Sequence, residues 1–373
     1  MRFAEDMPRM QSSFERQNKL RPSLSQINPR RILLIKPSAL GDVVHALPVL
    51  SLMRRRWPEA HIAWLITPNC AGIVEGHPQL DEILLFRRGQ FGLRKPRSLL
   101  NLLKFAGRLE EKHFDLAVDL QGLLRSGWMT WCSRAPVRVG FAESRELAWW
   151  FYTHRVADPL GQHNTSRSGQ RHAVERYLDV AEALGCGRSP VQFILPSNEP
   201  DRAWLKRTVS ALGPYAVLIP GTNWRTKRWP AERFAELAGR LRQQFQFKII
   251  AAGAPNEFQL GRLTKPDLNL AGKTTIGQLI ALLRNASLVI ANDSGPMHIA
   301  AALGRPLVTL FGPTEPGLTG PYRRDDCVVR RQIGCSPCFS RRCSHQDCLR
   351  LLEIDPVIEA ARQQLETCAL HAL

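Results

Sequence analysis

Asn292, Asp293, Ser294, Gly295, Pro296, Met297 and His298 place an acid, a hydroxyl, a glycine and an imidazole at the spacing of a strand-to-helix turn. The apolar run Ser287 to Ala291 reads as the strand, and Pro296 suits a first helical position, where its fixed φ is preset and no N–H is needed. A helix opening there exposes unpaired N–H groups and the positive end of its dipole, which together suit a phosphate or pyrophosphate. The apolar run Leu307 to Phe311 closes a βαβ unit, and the loop Gly312 to Gly317 returns to the same sheet edge. Ligands of open α/β sheets bind at that edge. Glycine and proline alone would fit an ordinary connection equally well; the added acid and histidine favour a ligand site.

A second group is Cys335, Cys338, Cys343 and Cys348, spaced C-x2-C-x4-C-x4-C around His345 in a loop rich in Arg and Ser. Its first pair has the spacing of a structural zinc site, while its second half is spread unlike a zinc ribbon, so free thiols and a structural zinc or iron are both open readings. The chain has nine cysteines but no secretory signal and no small disulfide-dense domain, and reduced thiols are expected.

The net charge of +18 calls for an anionic partner: nucleic acid, an acidic membrane or a phosphorylated substrate. Cations cluster at Arg87, Arg88, Arg94, Lys95, Arg97, Lys104 and Arg108 and again from Arg323 to Arg350, where a solvated surface is the plain alternative. With 373 residues the chain suits two domains of about 150 to 200 residues. A hydrophobic share of 44% and a charged share of 23% exclude an intrinsically disordered chain. No run approaches the ~18 apolar residues of a membrane span. Residues 1–29 are charged and lack an apolar signal core, which predicts a loosely ordered tail on a cytoplasmic protein.

Two sets of alternating elements must position these groups. In the first half, strands are expected at Arg31 to Pro37, His61 to Ile66, Glu82 to Phe86 and Leu116 to Asp119, with helices after Ser38 or Gly41 as far as Pro58 and over Ser98 to Lys112. The second half repeats the plan, with strands at Tyr215 to Ile219, Phe247 to Ala251 and near Leu268 to Ala271, and helices at Ala231 to Gln243, Glu257 to Leu263 and Thr275 to Asn285. That is an α/β chain of two facing Rossmann-like domains with parallel sheets. The expected divisions are a tail at 1–29, a domain at 30–196, a domain at 197–355 and a terminal helix at 356–373 that packs back across a hinge at Pro196 to Pro200. Neither first strand is followed by Gly-x-Gly-x-x-Gly, which counts against a nicotinamide or flavin enzyme.

Three ordered segments are similar to the glycosyltransferase family 9 heptosyltransferases of lipopolysaccharide core assembly: Ile35-Lys36-Pro37-Ser38-Ala39-Leu40-Gly41-Asp42, Gly221-Thr222-Asn223-Trp224-Arg225-Thr226-Lys227-Arg228-Trp229-Pro230, and the Asp293 to His298 loop. The likeness runs from about Arg31 onward, and Asp119-Leu120-Gln121-Gly122-Leu123 and His172-Ala173-Val174-Glu175-Arg176 resemble the first heptosyltransferase of that pathway. The resemblance implies a GT-B fold, an ADP-heptose donor held mainly by the C-terminal domain, inversion at the anomeric carbon, and no catalytic metal. The implied acceptor is phosphorylated lipid A bearing Kdo, or the first heptose.

Residue by residue, the resemblance makes Asp42 the general base, with a dipole-complementing helix acid as the alternative. It puts Lys227 on the donor diphosphate, Thr222 and Asn223 beside it, Asp293 on heptose hydroxyls, and Ser294, Gly295 and His298 at the phosphate end. Glu257 is in register with a glutamate that binds the adenosine ribose. For Thr222 and Asn223 helix capping is the alternative, for His298 a satisfied buried histidine, and for Glu257 an exposed helix-start acid. Arg94, Lys95 and Arg97 are expected to meet acceptor phosphates or the anionic inner-membrane surface. The cysteine loop is more like that of the second heptosyltransferase and of some protein heptosyltransferases. Competing classes are a GT-B enzyme using another nucleotide sugar, a 2-epimerase, and a basic zinc-loop nucleic-acid binder; the last is disfavoured because few aromatics interleave the basic segment, so no nucleic-acid partner is expected.

Overall fold

In the computed structural model, which describes residues 23–87, 96–157 and 171–371, two six-stranded parallel sheets follow one another along the chain. The first is built from β1 (Arg31–Ile35), β2 (His61–Ile66), β3 (Glu82–Leu85), β4 (Leu116–Asp119), β5 (Val137–Phe141) and β6 (His154–Val156) in the order β3-β2-β1-β4-β5-β6. The second comprises β7 (Tyr215–Ile219), β8 (Lys248–Ala251), β9 (Leu268–Asn269), β10 (Leu288–Asn292), β11 (Leu307–Phe311) and β12 (Val328–Arg330) in the order β12-β11-β10-β7-β8-β9. Counted within its own domain, each sheet has the doubly wound strand order. The connections after β1 and β4, and after β7 and β10, therefore part in opposite directions and open a crevice at the strands' carboxyl ends.

Nine helices matter for the site and its surroundings: α1 (Leu40–Arg56), α2 (Pro96–Glu110), α3 (Leu124–Cys132), α4 (Ala173–Ala183), α5 (Glu199–Val209), α6 (Ala231–Phe245), α7 (Ile276–Arg284), α8 (Gly295–Ala302) and α9 (Asp355–His371). The central strands are covered on both faces, and so their sequences are continuous apolar runs rather than alternating ones. Ile32 and Leu34 of β1 turn to one side, Leu33 and Ile35 to the other; Val217 and Ile219 of β7 oppose Ala216 and Leu218 likewise. The inner faces of both sheets share one apolar cluster with α1, α4, α7 and α8, while each outer face has its own. The crevice is thereby fixed between two domains whose cores meet.

Three boundaries differ from the sequence reading. Residues 24–29, expected in a loose tail, are not loose: Leu24 and Ile27 pack against the shared core and a 3-10 turn covers Leu24–Gln26, while residues 1–22 lie outside the described residues. Helix α1 opens at neither Ser38 nor Gly41; Ala39 precedes its first residue, and Asp42 accepts from the Ala39 N–H at 3.1 Å. Helix α9 lays Val357, Ile358 and Ala361 on the outer face of the second sheet instead of crossing back over the hinge. The linker is held where Arg284 donates to the carbonyls of Leu195 and Pro196, both at 3.0 Å, and Asn198 Nδ2 donates to Glu75 O at 3.1 Å. No helix among the described residues is long and apolar enough to cross a membrane.

Candidate active site

The N-termini of α1 and α8, one from each domain, point into the crevice and touch. A side chain on Gly41 would collide with the His298 ring, and a Cβ on Gly295 would stand 2.9 Å from Leu40, so both glycines are needed for the approach. Asp42 sits in the first turn of α1, half-exposed, with one oxygen on the Ala39 N–H. His45, one turn further along the same face, donates or accepts at 3.0 Å between its Nε2 and His298 Nδ1. His172 completes a ring cluster, with its centroid 5.1 Å from that of His45.

These imidazoles are neutral. Burial lowers His298 to about 3 and, together with His298 and His172, holds His45 well below the usual 6.5. His172 accepts from Val174 N at Nδ1 and donates from Nε2 to Gly320 O at 3.1 Å, which fixes its tautomer. His45 Nδ1 is buried without a partner. The tautomer that leaves no orphaned donor protonates His45 at Nε2, which gives His298 Nδ1 the acceptor role and leaves its Nε2–H as a donor beside Gly41.

Across the crevice, Lys227 and Asp293 form an ion pair with 2.6 Å between Nζ and Oδ2, and their side chains are only 14% and 6% exposed. Thr314 Oγ1 donates to the same carboxylate oxygen at 2.6 Å. The Thr222 hydroxyl donates to Asp293 O at 3.1 Å, which ties the β7 and β10 loops together; Asn223 beside it is exposed. Asn292 accepts from Trp229 N and donates to Pro220 O, and fully buried Trp229 donates from its indole to Leu352 O at 3.0 Å. Much of the Trp224 to Pro230 segment is therefore architecture that aims Lys227. Ser294, at the N-cap of α8, keeps a buried hydroxyl with no hydrogen-bond partner, next to the free N–H groups of Gly295 and its successors.

Glu257 is buried rather than exposed at a helix start. Its carboxylate accepts from Ala254 N at 2.8 Å and fills the space over Gly221 and Gly253, the glycines that follow β7 and β8. A side chain at Gly221 would displace it. Arg228 lies 3.8 Å away and also donates to Thr222 O, so the acid, both glycines and the loop form one cradle at the sheet edge.

Sequence reasoning did not single out His45, Thr314, Trp224, Arg341 or Lys36. Trp224 lies between cations, with Lys227 Nζ and Arg341 Cζ each 4.5 Å from its ring centroid, and Thr226 donates to Ser340 O. The Arg-rich loop thus folds onto the Lys227 segment. Lys36 is buried, donates to Leu120 O at 3.1 Å and lies over the Tyr177 ring; burial opposes its charge, yet Tyr177, Asp42 and Asp119 raise its pKa. The one available signal was its place after β1, an ionisable residue ending an apolar run. Asp119 is architectural: it holds the Gln121 and Gly122 N–H groups and the Tyr152 hydroxyl.

Two further sets of residues were expected at the site. Arg94 and Lys95 lie outside the described residues, and Arg97 contributes only its place in the first turn of α2. Among the described residues no three His, Cys, Asp or Glu side chains are placed to hold a metal ion, and free thiols and a structural metal both stay open for Cys335, Cys338, Cys343 and Cys348. Burial raises Cys348, and the thiols of Cys338, Cys335 and Cys343 are near enough to raise it further. Cys348 is buried beneath Gly312, Cys343 accepts from Gln346 N, and Cys335 and Cys338 face solvent.

The neutral histidines give a stability prediction. His298 at about 3 and His77 at about 4 are both lowered chiefly by burial, so below about 6.5 the unfolded chain takes up protons that the folded chain refuses. Stability is expected to fall as pH drops from about 6.5 towards 4. His77 donates to Ile194 O and accepts from Gln79 N, and so protonation must break a bond. Thermal unfolding at pH 7.5 and 5 checks this: Tm is lower at pH 5, and His77→Gln, which is outside the crevice, narrows the difference. A Tm that rises on acidification contradicts the assignment.

Two doubly wound domains meeting at an anion-seeking helix terminus, with a carboxylate on one side and a lysine on the other, define a two-domain group-transfer enzyme. A sequence model of glycosyltransferase family 9 (heptosyltransferase) matches residues 102–349. Lipopolysaccharide heptosyltransferase 1 of Pseudomonas aeruginosa is 32% identical over 331 residues, covering 85% of this chain and 88% of that protein. Among solved structures, E. coli heptosyltransferase WaaC with ADP matches with a TM-score of 0.71 and 27% identity over 90% of this chain and 99% of that one. E. coli ADP-heptose heptosyltransferase II shares the fold with a TM-score of 0.73 at 23% identity, over 90% and 99% of the two chains. The chain belongs to glycosyltransferase family 9, the heptosyltransferases, and its fold is GT-B.

Proposed function

We propose that this enzyme transfers heptose from ADP-L-glycero-D-manno-heptose to the lipopolysaccharide inner core, to Kdo of lipid A or to the first heptose, with inversion and without a catalytic metal. The observation that carries this reading is the meeting of Asp42 on α1 with the α8 terminus, Lys227 and Asp293 in one crevice. The identity to a type 1 heptosyltransferase supports the sugar and the acceptor.

In a single displacement the acceptor hydroxyl oxygen bonds to the anomeric carbon as the bond from that carbon to the β-phosphate oxygen breaks. Asp42 takes the hydroxyl proton. Charge grows on the departing ADP, where the α8 N–H groups, the Ser294 hydroxyl, the His298 Nε2–H and Lys227 stabilise it. Lys227 is held by Asp293. The diphosphate draws on the lysine, and heptose hydroxyls donate to the carboxylate, so one ligand takes both halves of the pair. Glu257 accepts from the ribose hydroxyls at the Gly221 and Gly253 edge. The basic segment with Arg94, Lys95 and Arg97 meets acceptor phosphates.

The test is incubation with ADP-heptose and Kdo-lipid A, followed by mass measurement of the lipid. A gain of one heptosyl residue, dependent on both substrates, supports the reading. Free nucleotide released from donor alone, or transfer only from another nucleotide sugar, overturns it.

A further inference from the structure

Six of the large apolar side chains that the described residues leave exposed lie on three neighbouring elements of the first domain. They are Leu100 and Leu103 on α2, Leu124 and Trp131 on α3, and Leu147 and Trp150 at the 3-10 turn Ala148–Phe151. Helix α3 packs against both other elements. Leu124, Trp128 and Trp131 recur at the spacing of one helical face. Met129 and Cys132 of α3 and Leu109 of α2 bury themselves in the outer-face cluster of the first sheet, so the exposed residues stand on the side of that sheet away from the shared interdomain core.

The exposure is built in. Glu146 and Leu147 hold φ of 56° and 61°, two successive non-glycine residues in the left-handed region. This strained pair presents Leu147 at 61% exposure and, three residues on, Trp150 at 69%. Such a cluster is unusual on a soluble monomer and marks a docking surface.

Charge identifies the occupant. Exposed Lys104, Arg125 and Arg145 lie among the apolar residues, and the Arg134 guanidinium caps Trp131 at 4.5 Å. Of the acids in these segments, Glu146 accepts from Leu124 N and Glu110 lies 3.7 Å from Arg134, while Glu111 and Glu143 are exposed. Tryptophan and leucine at the tip with a cationic rim match the interfacial zone of an anionic bilayer, where indole rings sit at headgroup depth and cations meet lipid phosphates. We propose that the face formed by α2, α3 and the Leu147 to Trp150 turn seats this enzyme on an anionic lipid bilayer. The inference rests on the reading above only in placing the acceptor at a membrane.

The test is co-sedimentation of the full-length protein with phosphatidylglycerol-containing vesicles and with phosphatidylcholine vesicles, both free of acceptor. Binding to the anionic vesicles, weakened by salt, with a blue shift of tryptophan emission is expected. The double substitution Leu147→Asn and Trp150→Ser, in which Asn suits the left-handed backbone, is expected to weaken binding at least about tenfold. Trp131→Ser, a separate variant, should weaken it less. Heptosyl transfer to a water-soluble Kdo acceptor stays at the wild-type rate in both. Failure of that transfer in the wild type would count against the proposed reaction and not against docking. Docking is overturned if the wild type binds neither vesicle, if both variants bind as it does, or if the same substitutions abolish self-association of a protein that ignores vesicles.

Discussion

Asp42→Asn keeps ADP affinity within about twofold by calorimetry and lowers single-turnover heptosyl transfer by about 10² to 10⁴, the scale of a lost general base. The substitution isolates basicity. An amide oxygen still accepts from the Ala39 N–H, so the first turn of α1 and its contact with α8 persist. The negative charge that faces Lys36, His45 and Tyr177 is removed, but none of these is part of the donor cradle. An unchanged Tm with a collapsed rate is therefore expected. If more than about half of the turnover survives, Asp42 is only the helix-start acid that its position also permits, and the base lies elsewhere.

Lys227→Ala has the second large effect, and it has two parts. Loss of the cation at the departing diphosphate is expected to lower turnover by about 10² to 10³ and to weaken ADP binding. In addition Asp293, 5% exposed, keeps the Thr314 hydroxyl but loses its cation, and stripping one member from a buried pair costs about 3 to 5 kcal/mol. Tm should fall clearly. The double change Lys227→Met with Asp293→Asn removes both charges, so it recovers much of the Tm while activity stays lost. Equal loss of Tm in the single and double variants would contradict the ion-pair account, and an unchanged rate with unchanged ADP affinity would remove Lys227 from the chemistry.

The sequence made the sheet centres legible because parallel strands buried on both faces are unmistakable apolar runs; β2, β4, β7 and β11 have the limits that their patterns suggest. It was weaker at the edges. β6 is His-Arg-Val, half-buried and with no apolar run, and α3 contains Gly127, Thr130 and two tryptophans, poor helix formers that packing overrides. The site divided along similar lines. Residues that must be of one type because of local geometry, such as Gly295 and Asp293, stood out within a short segment. The partners that complete them come from far along the chain: His45 meets His298 across 253 positions, and Thr314 and Arg341 reach the β10 and β7 loops only through the fold.

The central claim is a direct, metal-free displacement in the interdomain crevice, and the anomeric configuration of the product tests it most directly. Transfer is run with ADP-heptose and Kdo-lipid A in excess chelator, and the new glycosidic linkage is read by NMR. The account predicts an undiminished rate and a product of anomeric configuration opposite to that of the donor. Retained configuration, or a reaction that stops in chelator and returns with added metal, would contradict it.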